Sequence, residues 1–133
     1  MLNQTGITKV EGAAPVQILF NVQNQMSVGV KLPQNFAGAV VVNGRKIVKA
    51  GTPLTGDLTA RGTNFGAATT TSGTNNAVGI LLHDVDVTDG VANCSLLIWG
   101  FVNLDRVDST TAALITTEVK AALAGKIWFL KDN

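Results

Sequence analysis

The sequence predicts a mainly β domain (α+β in class) with one late helix. Three observations carry this expectation. An Asn43-Gly44 pair stands between two β-branched runs, several short apolar runs are bounded by glycine, proline or amide residues, and helical periodicity occurs once, after residue 108. Residues 1–15 are small and polar and are closed by Pro15, so they read as an N-terminal arm with little structure of its own. Residues 16–133 form the single β-rich domain, with no internal repeat and no second unit.

Val16, Ile18 and Phe20 give an imperfect period-2 run, the pattern of a half-buried strand. Asn21 to Gln25 is amide-rich and reads as a turn, and Ser27 to Leu32 forms a second strand that Pro33 stops. Ala39 to Val48 is a hairpin, because Asn43-Gly44 suits a type I′ turn in which both central residues take positive φ. Thr55 to Asn76 is dominated by Thr, Gly, Asn and Ala, and Ala67 to Asn76 holds nothing larger than Thr or Asn. Such a stretch offers too little apolar area to offset its ordering entropy, so it is predicted to be a long exposed loop, with Phe65 alone packing back on the body. Ala77 to Leu82 is a continuous apolar run suited to a strand buried on both faces. Val91 to Val102 is the strongest strand of all. Asp108 or Ser109 then caps one helix whose apolar residues are Ile115, Val119, Ala122 and Leu123, with Gly125 as its left-handed stop. Lys126 to Leu130 is the last strand.

The composition excludes several function classes. Ten Lys and Arg against nine Asp and Glu, at 14% charged residues, are too few and too balanced for a phosphate-binding surface. No apolar run approaches the ~20 residues of a membrane-spanning helix. The first residues lack the basic and apolar regions of a signal peptide. A single cysteine, Cys94, forms no internal disulfide and fits a reducing compartment.

Catalytic constellations fail one by one. His83 is the only histidine, so any nucleophile–base pair would rest on it. Cys94 precedes the most apolar strand, where a thiol behaves as a small hydrophobe. Asp84, Asp86 and Asp89 miss the spacing of a calcium loop, since position 6 would be Asp89 and position 12 Ser95. They read instead as the solvated side of a strand, and no metal or cofactor is expected. Gly62, Gly66 and Gly73 match no phosphate-loop spacing. Arg45, Lys46 and Lys49 read as charges guarding an edge strand. Trp99 and Phe101 share a strand face, whereas Trp128 and Phe129 lie on opposite faces. These aromatics are expected in the core or at a subunit interface.

The order of segments nevertheless resembles a known family. Ala50-Gly51-Thr52-Pro53-Leu54, then Ala77 through Val87, then Gly100-Phe101-Val102-Asn103 and the helix ending at Lys126-Ile127 are similar to bacteriophage head decoration proteins, the capsid-stabilising family typified by that of phage lambda. Head-fibre base domains share the same order. The resemblance covers about residues 37–131, and the Thr-rich stretch 69–76 departs from it. It implies a compact β-tulip or barrel-like fold and a homotrimer seated on the outside of the expanded phage head. The implied partners are the major capsid protein of the same phage and the chain itself, with no direct nucleic acid and no membrane. The implied location is the outer capsid surface of the virion, after synthesis in the host bacterial cytoplasm.

On that resemblance the arm is expected to add a strand to the shell protein through Thr5, Ile7, Thr8 and Val10, and Trp99, Phe101 and Trp128 are expected at the trimer interface. The Thr-rich loop is expected to face solvent on the particle. Two other classes compete. A head-fibre base or host-surface glycan-binding module would show an exposed aromatic platform, yet both tryptophans lie within apolar runs. A small enzyme using His83 with Asp84 or Asp86 has no further support, so the chain is read as not an enzyme.

Overall fold

The computed structural model describes residues 17–19 and 25–132. The predicted arm, with Thr5, Ile7, Thr8 and Val10, lies outside the described residues. Of the first predicted strand, Val16 and Phe20 also lie outside them, while Ile18 and Leu19 are buried and Leu19 forms an isolated antiparallel bridge with Val102. The protein is mainly β. Its sheets are largely antiparallel, and none closes into a barrel among the described residues.

The central sheet is organised by one long strand. β1 (Met26–Leu32) ends before Pro33, as expected. The predicted hairpin forms β2 (Val40–Val42) and β3 (Arg45–Val48), with Asn43 at φ 52 and Gly44 at φ 79. β4 (Pro53–Thr55) and β5 (Gly66–Ala67) follow, then β6 (Thr70–Thr71) and β7 (Thr74–Asn75). β8 (Gly79–Leu81), β9 (Val85–Asp86) and the 12-residue β10 (Ala92–Asn103) complete this part. β11 (Ile127–Leu130) closes the fold. The main sheet runs β1-β10-β8-β4-β5, with β11 joined to β10 in parallel; β2-β3-β9 and β6-β7 form two smaller sheets.

β8 shows why an unbroken apolar run means a strand covered on both sides. It lies between β10 and β4, Ile80 packs in one apolar cluster and Leu81 in the other, and all three of its residues are buried. Gly79 is required there, because a Cβ would stand 2.5 Å from the Leu97 carbonyl oxygen. The first cluster gathers Ile18, Leu19, Leu97, Val102, Ile115, Val119, Leu123 and Ile127. The second gathers Val30, Leu32, Leu54, Phe65, Val87 and Leu96. Each fully buried aliphatic side chain contributes roughly 1.5–3 kcal/mol.

Two expectations are corrected. Residues 55–76 are not a structureless loop. Phe65 does pack back, at 1% exposure, and its N–H donates to the Lys31 carbonyl at 2.8 Å. The small residues beyond it form β5 and the β6–β7 hairpin, turned at Ser72 and Gly73 with φ 52 and 80. Polar side chains do the ordering: Asn75 is buried, its Nδ2 donates to Thr70 Oγ1 at 2.9 Å, and its Oδ1 accepts from the Ala77 N–H at 2.8 Å. The second correction is the helix, which is two short helices, α1 (Ser109–Ala112) and α2 (Thr117–Ala122). Asp108 holds the first N-cap position without a side-chain bond. Thr116 interrupts the run, because its hydroxyl accepts the Val119 N–H at 3.3 Å and starts a new helix. Gly125 takes positive φ just beyond α2, as the sequence indicates.

Candidate interaction face

The aromatic residues of β10 and β11 owe their placement to a break in strand alternation. Met26 pairs with Trp99 and Ser27 with Leu97, so β10 carries one extra residue at Ile98. Before this bulge, Leu96 and Ile98 pack with the second cluster and Leu97 with the first; after it, the even-numbered Val102 joins the first. A bulge re-aims the side chains that follow it. Trp99 and Phe101 are thereby turned away from the first cluster and outward. The parallel register then sets Trp128 beside Phe101, while Ile127 and Phe129 on the other side of β11 face the core.

The three predicted interface aromatics therefore meet. Phe101 and Trp128 stack with centroids 5.2 Å apart and planes at 22°. Trp99 meets Trp128 edge-on at 6.4 Å and 89°, and Phe101 at 6.2 Å and 70°. Both tryptophans are 41% exposed, which corrects the expectation that apolar runs hide them. Met26, opposite Trp99, and Leu130, two residues beyond Trp128, are exposed as well. Alternation along β11 was enough to find Leu130. Met26 needed the register of a distant strand. The result is an apolar surface on the outer side of β1, β10 and β11, made by Met26, Trp99, Trp128 and Leu130 around the half-buried Phe101.

The charged residues have another occupation. Arg45 Nε donates to Asp86 Oδ2 at 2.8 Å and its Nη2 to Asp89 Oδ2 at 3.0 Å. The Thr88 hydroxyl and amide, with Arg45, hold the Asp86 carboxyl at a pKa of about 2. Asp84 accepts the Ala50 N–H at 2.7 Å and lies 3.8 Å from the Lys49 ammonium. These carboxylates latch β9 and the residues on either side of it onto the hairpin and the residues just after it, rather than simply facing water. The edge-guard reading of Arg45 and Lys46 is also corrected, because β3 is the middle strand of its sheet and β2 is the edge. His83 is exposed, and among the described residues no group of three or more His, Cys, Asp or Glu side chains is arranged to hold a metal ion. Cys94 donates to the Val30 carbonyl at 3.7 Å, packs against the second cluster, and burial pushes its thiol up to about 11. Among the described residues no helix is long and apolar enough to cross a membrane.

Compared with known proteins, the chain matches no family model and no curated sequence.

Proposed function

We propose that the protein is a structural virion component, a capsid decoration protein that binds the outside of the expanded phage head as a homotrimer and stabilises it against the pressure of packaged DNA. The observation that supports this reading most is the pair of exposed indoles, Trp99 and Trp128, packed around the half-buried Phe101. An apolar surface of linked aromatic rings on a small mainly β body gains most when another protein surface covers it. We read the open sheets around β10 as the tulip-like arrangement that the segment order implies, with the aromatic face at the trimer contact. The arm supplies the shell contact, with Ile7 and Val10 docking as an added strand on the major capsid protein. Three arms on one trimer give avidity to individually weak contacts. The chain is synthesised in the bacterial cytoplasm and resides on the outer capsid surface. It performs no catalysis.

The second reading is a head-fibre base or glycan-binding module, and the exposure of the two tryptophans favours it. Ring geometry weighs against it. A sugar stacks on a free aromatic face, yet one face of Trp128 is taken by Phe101 and the two indoles stand at 89°.

The test compares the whole chain with Ile7→Asp and with a chain lacking residues 1–14, each co-sedimented with expanded capsids that lack the protein. Both variants should lose saturable binding. Unchanged binding by both would remove the arm from the mechanism.

A further inference from the structure

Both ends of the described chain are fastened to one short segment, the end of β10 and the 3-10 turn Leu104–Arg106 that follows it. Residues 17–19 are the root of the N-terminal arm. The Asn103 N–H donates to the Ile18 carbonyl at 2.8 Å, Leu19 bridges Val102, and Arg106 Nη1 donates to the Leu19 carbonyl at 3.3 Å. The C-terminal side is fastened by side chains. Asn103 Nδ2 donates to Asp132 Oδ1 at 2.7 Å, the Asp132 N–H donates to Asp105 Oδ2 at 2.7 Å, and the Asp105 N–H donates to Asn103 Oδ1 at 2.9 Å. These three bonds close a cycle. Its hub, Asn103, is 0% exposed, whereas Asp105 and Asp132 are exposed. An amide buried that fully has given up its hydration, so it is tolerated only while its hydrogen bonds are made.

We propose that Asn103 is a positioning residue for the arm: its tie to Asp132 keeps the end of β10 closed on Ile18, so the C-terminal residues control how firmly the arm's root is held. Without the Asp132 carboxylate, the Asn103 Nδ2 group loses its acceptor and must reach water. The end of β10 supplies water only by opening. The first contacts to yield are the Asn103 N–H bond to Ile18 and the Leu19–Val102 bridge, because they sit on that residue and the one before it. Losing a charge-assisted bond to a buried amide changes such an opening equilibrium by about 10- to 100-fold. The link to binding rests on the shell-docking role of the arm proposed above. A root already in place leaves fewer residues to order when the arm docks, and each further residue ordered lowers affinity by about 10-fold.

The experiment compares the whole chain with its Asp132→Ala and Asp132→Asn variants. Asp132 is exposed and belongs to neither apolar cluster, so neither substitution touches the core. Amide hydrogen exchange is read at Asn103 and, as a control, at Leu81 in the buried β8, whose N–H donates to the Thr52 carbonyl at 2.9 Å. In Asp132→Ala the Asn103 amide should exchange about 10-fold faster, while Leu81 stays within about twofold of the wild type. Asp132→Asn keeps an acceptor oxygen and should recover most of the protection. On expanded capsids that lack the protein, Asp132→Ala should bind about 10-fold more weakly than the wild type, and Asp132→Asn close to it. Unchanged exchange at Asn103 would overturn the proposal. So would equal acceleration at Leu81, which means a general loss of stability, or faster exchange at Asn103 with wild-type capsid affinity, which leaves the tie without a positioning role. If the wild type itself binds no capsid, the arm's shell role falls, and exchange at Asn103 alone decides the tie.

Discussion

Replacing Phe65 by Ala measures how firmly the Thr- and Gly-rich stretch 55–76 is held. The ring is 1% exposed within the second cluster, and it lies so close to Gly56 that a Cβ there would stand 2.5 Å from it. Removing a buried Phe side chain costs about 3–5 kcal/mol in transfer and cavity terms. Against a total stability of about 5–15 kcal/mol the variant still folds. With a urea slope of about 1–3 kcal/mol per molar, the denaturation midpoint should fall by about 2 M. Gly56→Ala provides the internal control. In the wild-type background the new methyl collides with the ring and should cost about 1–3 kcal/mol. In the Phe65→Ala background the obstacle is gone and the cost should largely vanish, a coupling above about 1 kcal/mol. Urea titrations of all four chains by circular dichroism supply every number. A Phe65→Ala shift under about 0.5 M, with additive effects, would refute the packing argument and restore the loose loop.

Other positions give sharper local tests. Gly79→Ala should cost about 3 kcal/mol and lower the melting temperature by roughly 10 °C, because its Cβ meets the Leu97 carbonyl oxygen rather than a flexible side chain; a loss of under 2 °C would contradict the close approach of β8 and β10. Asp86, held at about 2 against its ordinary 3.8, adds stability that is fully present above pH 3.8 and fades as pH falls toward 2. Melting curves across that window should show this loss in the wild type and a smaller one in Asp86→Asn, and equal slopes would remove the latch. Cys94, with its thiol pushed up to about 11, should react with a thiol reagent at pH 8 about 100-fold more slowly than free cysteine, and at the ordinary rate once unfolded in urea.

The parts of the fold that were legible in the sequence are those fixed by neighbours in the chain. Asn43-Gly44 names its own turn, Pro33 stops β1, and Ala77 to Leu82 announces a strand covered on both sides. What misled were effects that residue size and periodicity do not register. The Thr-rich stretch is ordered by backbone N–H groups donating to the side-chain amide oxygens of Asn75 and Asn76, in addition to the burial of Phe65. The apolar positions of the late helix run on through Thr116, whose hydroxyl divides it in two. The exposure of Trp99 depends on the bulge at Ile98, which exists only once Met26 and Ser27 are paired with β10. The grouping of Trp99, Phe101 and Trp128 was legible in part, since alternation puts the first two together, while the third required the parallel register of β11.

The decoration account is tested most directly by adding purified protein to expanded capsids that lack it and measuring bound copies and capsid melting together. Binding should saturate at a fixed number of copies per particle and raise the temperature at which the capsids disrupt. Capsids that take up no protein, or take it up without gaining resistance to heat, would contradict it.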